Sequence, residues 1–332
     1  MTNDPAGSIR AARLTDRQAL VTLSRQVHDA NEGFRRSLGV PARSATAARI
    51  SLAALMPSWL PLRSPSVHMV AELDGRLVGS CRAIEEPHRD DWVVTELDAT
   101  DSPMASEVRF ALLRAVIEEA AQHNVARLHA ACADVPENME LFGQLGFMAY
   151  AHEEIWYRPP GKAEGASTDQ ELLPATPADA WHLFDLWTHT TPPAIARIEG
   201  YGANDWETVG HEGVVPRSSL NPILHFTSVE AWLLPEGQRV AGFAQHGASR
   251  TGPHYLRFLV RDGTDGAAFL RAVLAEVGAD ALSAGILAPV RTYESTGRQA
   301  AEATRFEPVG QVSMLVREVR ASVRQPAMVP AV

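Results

Sequence analysis

Residues Asn138–Phe147 read NMELFGQLGF, and this stretch decides the fold together with a related one near the C-terminus. Its apolar spacing predicts a short helix over Glu137–Leu145, which a glycine ends, and then two strands over residues 147–152 and 154–157. The related stretch, Ala301–Gly310, reads AEATRFEPVG and again places an aromatic residue and a strand after a helix. One helix-strand unit is therefore predicted twice.

The residues before Asn138 give the order of the other elements in the first half. The pair Asp74-Gly75 between two alternating segments predicts a β-hairpin. Apolar residues at helical spacing predict a long helix from Ser106 to His123. The remaining predicted elements are strands at Ser8–Arg13, Trp92–Ala99 and Ala126–Cys132, and helices after Thr15 and over Thr46–Met56.

The second half repeats this order, and three markers recur at a nearly constant separation. The marker pairs are Gly75 and Gly237 (162 residues apart), Gly79 and Gly242 (163 apart), and Phe147 and Phe306 (159 apart). A nearly constant offset over separated markers predicts duplication of one fold. The alternative is that two unrelated α+β domains share hairpins and helices by chance.

A polar segment between the halves predicts a domain boundary. It reads PPGKAEGASTDQ, with small residues and no apolar periodicity. We therefore expect an N-terminal domain over residues 1–158, a linker over 159–170, a C-terminal domain over 171–318 and a tail over 319–332. The length of 332 residues is sufficient for two buried cores.

The two quoted stretches resemble the N-acetyltransferases of the GNAT superfamily. Asn138–Phe147 is similar to that family's N...LYxxLGF segment, and Ala301–Gly310 is similar to its GFxPVG segment, with Arg305 where glycine is usual. The resemblance implies an α/β (α+β) fold of two tandem GNAT-like lobes, each a mixed, mostly antiparallel sheet flanked by helices, arranged as in mycothiol synthase. It also implies acetyl-CoA as cosubstrate and a primary amine of a small molecule or peptide as acceptor. The twelve histidines are scattered and none has metal-ligand spacing, so no metal is expected.

In this family, acyl-CoA is held mainly by a (Q/R)xxGx(G/A) loop before the long helix. Here Ala99–Arg109 reads ATDSPMASEVR and lacks both glycines. A carboxylate about 5 Å from a phosphate repels it by roughly 3 kcal/mol, so Glu107 has to point away. The resemblance implies that the following residues bind the cofactor: Leu97, Ala99, Met104, Ala105, Ser106, Val108, Arg109, Asn138 and Phe142. In the shorter second-half loop, Arg261–Gly266, a tight turn with Asp265 as a helix cap is favoured.

The resemblance also suggests the acid and the base. Glu96 lies on the fourth strand, where GNAT enzymes often carry a carboxylate that accepts the amine proton; an exposed strand glutamate is an equal alternative. Many GNAT enzymes use a tyrosine as the acid where this chain has Phe142. Tyr150 is a substitute by proximity, although an ordinary amphipathic tyrosine is the simpler interpretation.

Composition narrows the class of protein. The net charge is −10, the wrong sign for a chain that coats phosphate backbones, so nucleic acid is not expected as a partner. The chain has two cysteines and no apolar segment long enough to span a membrane. We therefore expect a cytoplasmic protein without disulfides or membrane contact. We also expect either a monomer of two lobes or a homodimer. The acidic run Glu85–Asp91 is most simply a solvated loop, although an acidic rim would also attract an amine.

Three functions fit these observations. The first is an N-acyltransferase that moves an acetyl or other acyl group from acyl-CoA to a primary amine. The second is a catalytically silent GNAT-like protein that binds a metabolite or a partner, since the diphosphate loop departs from the family pattern in both halves. An aminoacyl-transfer relative that uses charged tRNA is a third, which the negative charge disfavours.

Overall fold

The computed structural model describes residues 7–30, 66–86, 89–161, 170–207, 216–219, 226–249 and 252–319. The strands are β1 (Ser8–Ala11), β2 (Ser66–Leu73), β3 (Arg76–Glu85), β4 (Asp91–Ala99), β5 (Arg127–Ala133), β6 (Met148–Arg158), β7 (Leu173–Pro174), β8 (Phe226–Glu236), β9 (Arg239–Ser249), β10 (His254–Val260), β11 (Ile286–Arg291) and β12 (Glu307–Glu318). The α-helices are α1 (Arg17–Ala30), α2 (Ala105–Gln122), α3 (Pro136–Gln144), α4 (Ala180–Thr190), α5 (Pro193–Glu199), α6 (Gly266–Ala284) and α7 (Ser295–Ala303). Short 3-10 helices cover Leu14–Asp16, Pro177–Asp179 and Ala203–Trp206.

The twelve strands in the described part of the chain form one continuous sheet with a symmetrical order. The order is β1-β2-β3-β4-β5-β12-β6-β11-β10-β9-β8-β7, and only the β4–β5 and β10–β11 pairs are parallel. The first five strands of each half follow one another in the same sequence, which confirms the predicted duplication. The last strands are exchanged: β12 pairs with β5 of the first half, and β6 pairs with β11 of the second. The centre of the sheet therefore belongs to both halves.

The helices cover both faces of the sheet. On β2, Ala71 packs in the core that contains Leu112 of α2, whereas the preceding Val70 packs against Leu20 of α1. Since consecutive strand residues point to opposite faces, α1 and α2 lie on opposite sides. We call these the α1 face and the α2 face. In the second half, α6 corresponds to α2 and α4 corresponds to α1.

Turn and packing chemistry explains the markers seen in the sequence. Asp74 and Gly75 both have positive φ angles, +50° and +75°, as a two-residue hairpin turn requires. A Cβ on Gly79 would lie 2.6 Å from Val108 of α2, and one on Gly242 would lie 2.9 Å from Phe269 of α6. The two glycines therefore let a helix approach the sheet closely in each half.

Several predicted elements differ in detail. The two strands predicted after Phe147 form one strand, β6, because the closing strand of the second half completes the sheet beside it. The helix α5 was not predicted. The helix predicted over Thr46–Met56 lies outside the described residues, as do residues 162–169 of the predicted linker and residues 320–332 of the predicted tail. The domain boundaries stay predictions.

Candidate functional site

The fourth and fifth strands of the first half separate and leave a cavity. Their parallel pairing covers only Asp91–Val93 against Arg127–His129. Beyond this point lies a cavity of about 60 Å³. Its walls come from β4, β5, β12 and the segment 216–219: Val93, Val94, Thr95, His129, Ala130, Ala131, Met314, Arg217, Ser218 and Ser219. Both halves thus contribute to a cleft that begins in the first.

A β-bulge in β4 determines where Glu96 points. Trp92 and Val94 face the α2 core, so strict alternation would send Glu96 there too. The pairing with β3 shifts between Val94 and Glu96, which leaves Thr95 as an extra residue. After the bulge Leu97 packs against the α2 core instead. The bulge therefore turns Glu96 to the α1 face, beside the cavity-lining Thr95.

Glu96 lies in a row of polar side chains on the α1 face. Its Oε1 is 3.9 Å from Nη1 of Arg82, which pairs with it directly across β3 and β4. On the other side of Arg82, β2 contributes His68. The side chain of Glu96 keeps 29% of its exposure, so a ligand can reach it. An accessible carboxylate next to a cavity is suited to accept a proton.

The corresponding cleft of the second half is closed. The row there consists of Ala231, Gln245 and Arg257, so Arg257 takes the place of Glu96. Its side chain is only 1% exposed and donates from Nη1 to the carbonyl oxygens of Phe258 and Pro289 and, at 2.9 Å, to Glu294. Because Phe258 lies on β10 and Pro289 on β11, this guanidinium fills the gap between those strands. The two clefts are therefore chemically different.

Buried ion pairs join the halves around the first cleft. Arg217 forms a bidentate ion pair with Glu86, and its Nη1 lies 3.0 Å from Nδ1 of His129. Nε2 of His129 is 3.4 Å from Asp91. Burial, followed by the nearby charge of Arg217, lowers the pKa of His129 to about 4. The ring is thus neutral and accepts a hydrogen bond from Arg217.

The acidic run Glu85–Asp91 is not the simple solvated loop that we expected. Glu86 and Asp91 take part in the pairs just described, and Asp91 is buried. Arg89 pairs with Asp205 at 2.9 Å and lies 4.1 Å from the ring centroid of Tyr201. The partners of Glu86 and Arg89 lie more than 100 residues away in the chain, so local sequence patterns could not indicate them.

A second buried cluster adjoins the first. Arg291 lies 3.5 Å from Glu153 and donates to Glu199 at 2.9 Å and to the carbonyl oxygen of Arg217 at 2.7 Å. Glu153 also accepts hydrogen bonds from the hydroxyl of Ser218 and from the amide of Ser219. The cluster fixes the segment 216–219 over the cavity. Sequence reasoning missed His129 and this segment because they come together only through tertiary pairing.

Tyr150 lies near the cavity but not against it. Its hydroxyl is 3.4 Å from Oε1 of Glu199, and its ring meets that of His129 edge to face with centroids 6.1 Å apart. Burial, followed by the charge of Glu199, raises the pKa of Tyr150 to about 12. The phenol therefore stays protonated at neutral pH. Its role as an acid stays a prediction.

The residues predicted to bind the cofactor lie around the beginning of α2. Leu97, Ala99 and Met104 pack against the first core, and Ala105 begins the helix. Val108 is buried and its amide bonds to the carbonyl of Met104, whereas Ser106 is exposed. Nε of Arg109 bonds to the carbonyl of Ala105 at 3.3 Å. The structure groups these residues at one helix end, where an anion is favoured.

The two remaining predicted residues lie on α3. Asn138 donates from its side chain to the carbonyl of Ala133 at 3.2 Å, at the end of β5. Phe142 is buried and meets Phe147 edge to face. Phe142 is thus a core residue, and the role of either residue toward a cofactor stays a prediction. In the second half, Asp265 caps α6 through the amide of Ala268, as predicted.

Two kinds of feature are absent from the described residues. No helix in the described ranges is long and apolar enough to cross a membrane. Among the same residues, no group of three or more His, Cys, Asp and Glu side chains is placed to hold a metal ion.

Solved structures share this fold. One is a tandem GNAT protein from the clavulanic acid biosynthesis pathway. The match covers 95% of this chain and 99% of that protein, with a TM-score of 0.58 and 14% identity. Another is a GCN5-related N-acetyltransferase from Sphaerobacter thermophilus. The match covers 95% of this chain and 96% of that protein, with a TM-score of 0.54 and 14% identity. No protein-family model and no curated protein matches the chain. The chain therefore has the tandem GNAT fold, as the sequence predicted.

Proposed function

We propose that the protein is an acyl-CoA-dependent N-acyltransferase whose site lies in the first half. The observation that carries the proposal is the difference between the two clefts. Between β4 and β5 there is a cavity lined by Thr95, the chain neighbour of the accessible Glu96, whereas between β10 and β11 the gap is filled by the ion pair of Arg257 and Glu294.

The cavity suits the acyl end of the cosubstrate. A volume of about 60 Å³ exceeds that occupied by one water molecule, and its walls are mainly apolar. The residues Ala99–Arg109 and the beginning of α2 would hold the diphosphate, since a helix N-terminus favours an anion. Acyl-CoA supplies an acyl group activated as a thioester. The chain's own residues would supply position and proton transfer.

Glu96 is the proposed base. An amine is mostly protonated at neutral pH and has no free electron pair until a proton is removed. Glu96 would first take that proton and pass it to water, which frees the electron pair of the nitrogen. The nitrogen would then bond to the acyl carbon, the carbon–sulfur bond would break with the electron pair leaving on sulfur, and Glu96 would take the second proton from the nitrogen as it becomes an amide. Phe142 cannot donate a proton to the leaving thiolate. A thiol with a pKa near 8.5 leaves readily and can take its proton from water.

The experiment that tests this function is the release of free thiol from acetyl-CoA in the presence of primary amines. We expect amine-dependent release by the unaltered protein. Thr95→Phe places a bulky ring at the cavity and should reduce release at least about 10²-fold. Thr188→Phe, at an exposed position on α4, is the matched control and should keep the original rate.

If no amine supports thiol release above the rate of uncatalysed hydrolysis, the protein is not an acyltransferase toward amines. In that case the result favours a GNAT-like protein that binds a metabolite without turnover.

A further inference from the structure

The polar row on the α1 face contains buried nitrogen atoms that form no hydrogen bond with any described residue. We define the row as His68, Arg82 and Glu96, which face one another directly across β2, β3 and β4. Side chains paired in this way have Cβ atoms about 5 Å apart, so the row extends about 10 Å. Both ring nitrogens of His68 and Nε of Arg82 are buried and have no hydrogen-bond partner among the residues that the structure describes.

Such atoms are rarely left without partners in a folded protein. Buried polar groups are nearly always hydrogen-bonded, and an exception requires an explanation. His68 is 7% exposed, and burial, followed by the charge of Arg82, lowers its pKa to about 4. The ring is therefore neutral and offers one N–H donor and one acceptor. Arg82 offers further donors beside it, at a contact with Glu96 that is as long as 3.9 Å.

These groups match a carboxylate. An arginine guanidinium binds carboxylate oxygens with parallel N–H groups, and the N–H of His68 adds a third donor. A carboxylate bound there would lie one strand away from Glu96 and from the cavity. An amine bonded within one or two carbons of that carboxylate would then reach Glu96.

The second half supports a ligand-binding role rather than a structural one. The same row there is Ala231, Gln245 and Arg257. Its one charged side chain, Arg257, forms an ion pair with Glu294. The fold therefore does not require the charged row. The charged row occurs only in the half that has the cavity.

We propose that His68 and Arg82 bind a carboxylate of the acceptor and that the acceptor is a free amino acid rather than a peptide N-terminus or a simple amine. This inference rests on the proposed function, because it assigns the acceptor of the same site. Arg82 would exchange its long contact with Glu96 for the carboxylate, and Glu96 would be left free to take the amine proton.

The experiment compares L-amino acids with the amines that remain when the α-carboxylate is removed, in the same thiol-release assay. We expect kcat/KM to be at least about 10²-fold higher for the best amino acid than for its decarboxylated partner. Arg82→Met should bring this ratio close to one. Arg114→Met, at an exposed position on α2, is the matched control and should keep the ratio. Arg82→Lys retains the positive charge and should keep part of the preference. It tests the inference independently if the methionine variant does not fold.

Calorimetric titration of the same amino acids supplies a readout that does not depend on turnover. Binding to the unaltered protein that Arg82→Met loses supports the inference. Equal or faster transfer to the decarboxylated amines overturns the inference, whereas the proposed function stands. If no amine is acylated, the proposed function fails and the titration decides: amino-acid binding that depends on Arg82 supports the row as a carboxylate site, and its absence overturns it.

Discussion

Glu96 and Arg257 occupy equivalent positions in the two halves and have opposite surroundings. Glu96 is partly exposed beside a cavity, whereas Arg257 is buried in an ion pair that bridges two strands. Removing one partner of a buried ion pair strongly destabilises the protein, because the other charge is then buried without a partner. Arg257 and Glu294 therefore depend on each other. This difference favours a stabilising role for the second cleft, and it is the reason for placing the proposed reaction in the first.

Glu96→Gln should lower kcat at neutral pH by about 10² to 10⁴, because glutamine cannot accept the amine proton. Acyl-CoA affinity should stay nearly unchanged. The rate should recover in part at high pH, where free amine accumulates. The measurement is the pH profile of kcat with a saturating amine.

Glu118→Gln, at an exposed position on α2, is the control and should leave the profile unchanged. An unaltered kcat across the pH range for Glu96→Gln would remove Glu96 from the role of base.

Arg305 stands where the family pattern has glycine, and the structure shows the consequence. Its φ angle is +64°, in the left-handed region, and the equivalent Gly146 has φ of +78°. A side chain in this region costs roughly 1–2 kcal/mol. Arg305→Gly should therefore raise the free energy of unfolding by about 1 kcal/mol, measured by urea denaturation.

The reverse change in the first half, Gly146→Ala, should lower stability by a similar amount. If Arg305→Gly is destabilising, the contacts of the arginine side chain outweigh its backbone strain.

At the scale of elements, sequence patterns predicted what depends on neighbours in the chain. The hairpin at Asp74-Gly75 and the long helix α2 follow from turn chemistry and apolar spacing. The bulge at Thr95 could not be predicted, because a bulge is defined by the partner strand as well as by the bulged one. For that reason the sequence located Glu96 on the fourth strand but could not say which face it occupies.

The close approach of helix and strand in each half gives a test at this scale. Gly79→Ala should destabilise the protein by about 1–3 kcal/mol, because its Cβ would overlap Val108 and the backbone of Asp98. Gly242→Ala should act in the same way through Phe269. Thermal and urea unfolding would measure both.

Gly143→Ala is the control in this series. Gly143 lies in α3 with nothing within 4 Å of the added Cβ, so alanine should stabilise by up to about 1 kcal/mol. Equal effects at all three glycines would contradict the packing explanation.

At the scale of the whole molecule, the sequence predicted two copies of one fold but not how they are joined. Repeated markers reveal duplication. They do not reveal the exchange, because β5 could pair with β6 or with β12 through the same kind of backbone hydrogen bonds. The same limit applies to the site. Ser218, Ser219 and Met314 line the first-half cavity, although they belong to the second half of the chain. Only the tertiary structure brings them there.

The strand exchange predicts that the halves stay together without a covalent link. A protease site inserted within residues 162–169 should allow complete cleavage, yet the two fragments should still elute together in size-exclusion chromatography. The reason is that β12 fills the gap between β5 and β6, so separation would expose strand edges on both fragments. Separate elution of two folded fragments would contradict the exchange.

The most direct test of the central claim, that only the first half holds an acyl-CoA site, is the stoichiometry of acetyl-CoA binding by isothermal titration calorimetry. We predict one site per chain for the unaltered protein, none for Thr95→Phe, and one for the matched control in the second half, Thr188→Phe, at an exposed position. Two equivalent sites, or one site that survives Thr95→Phe, would contradict the assignment of acyl-CoA to the cleft between β4 and β5.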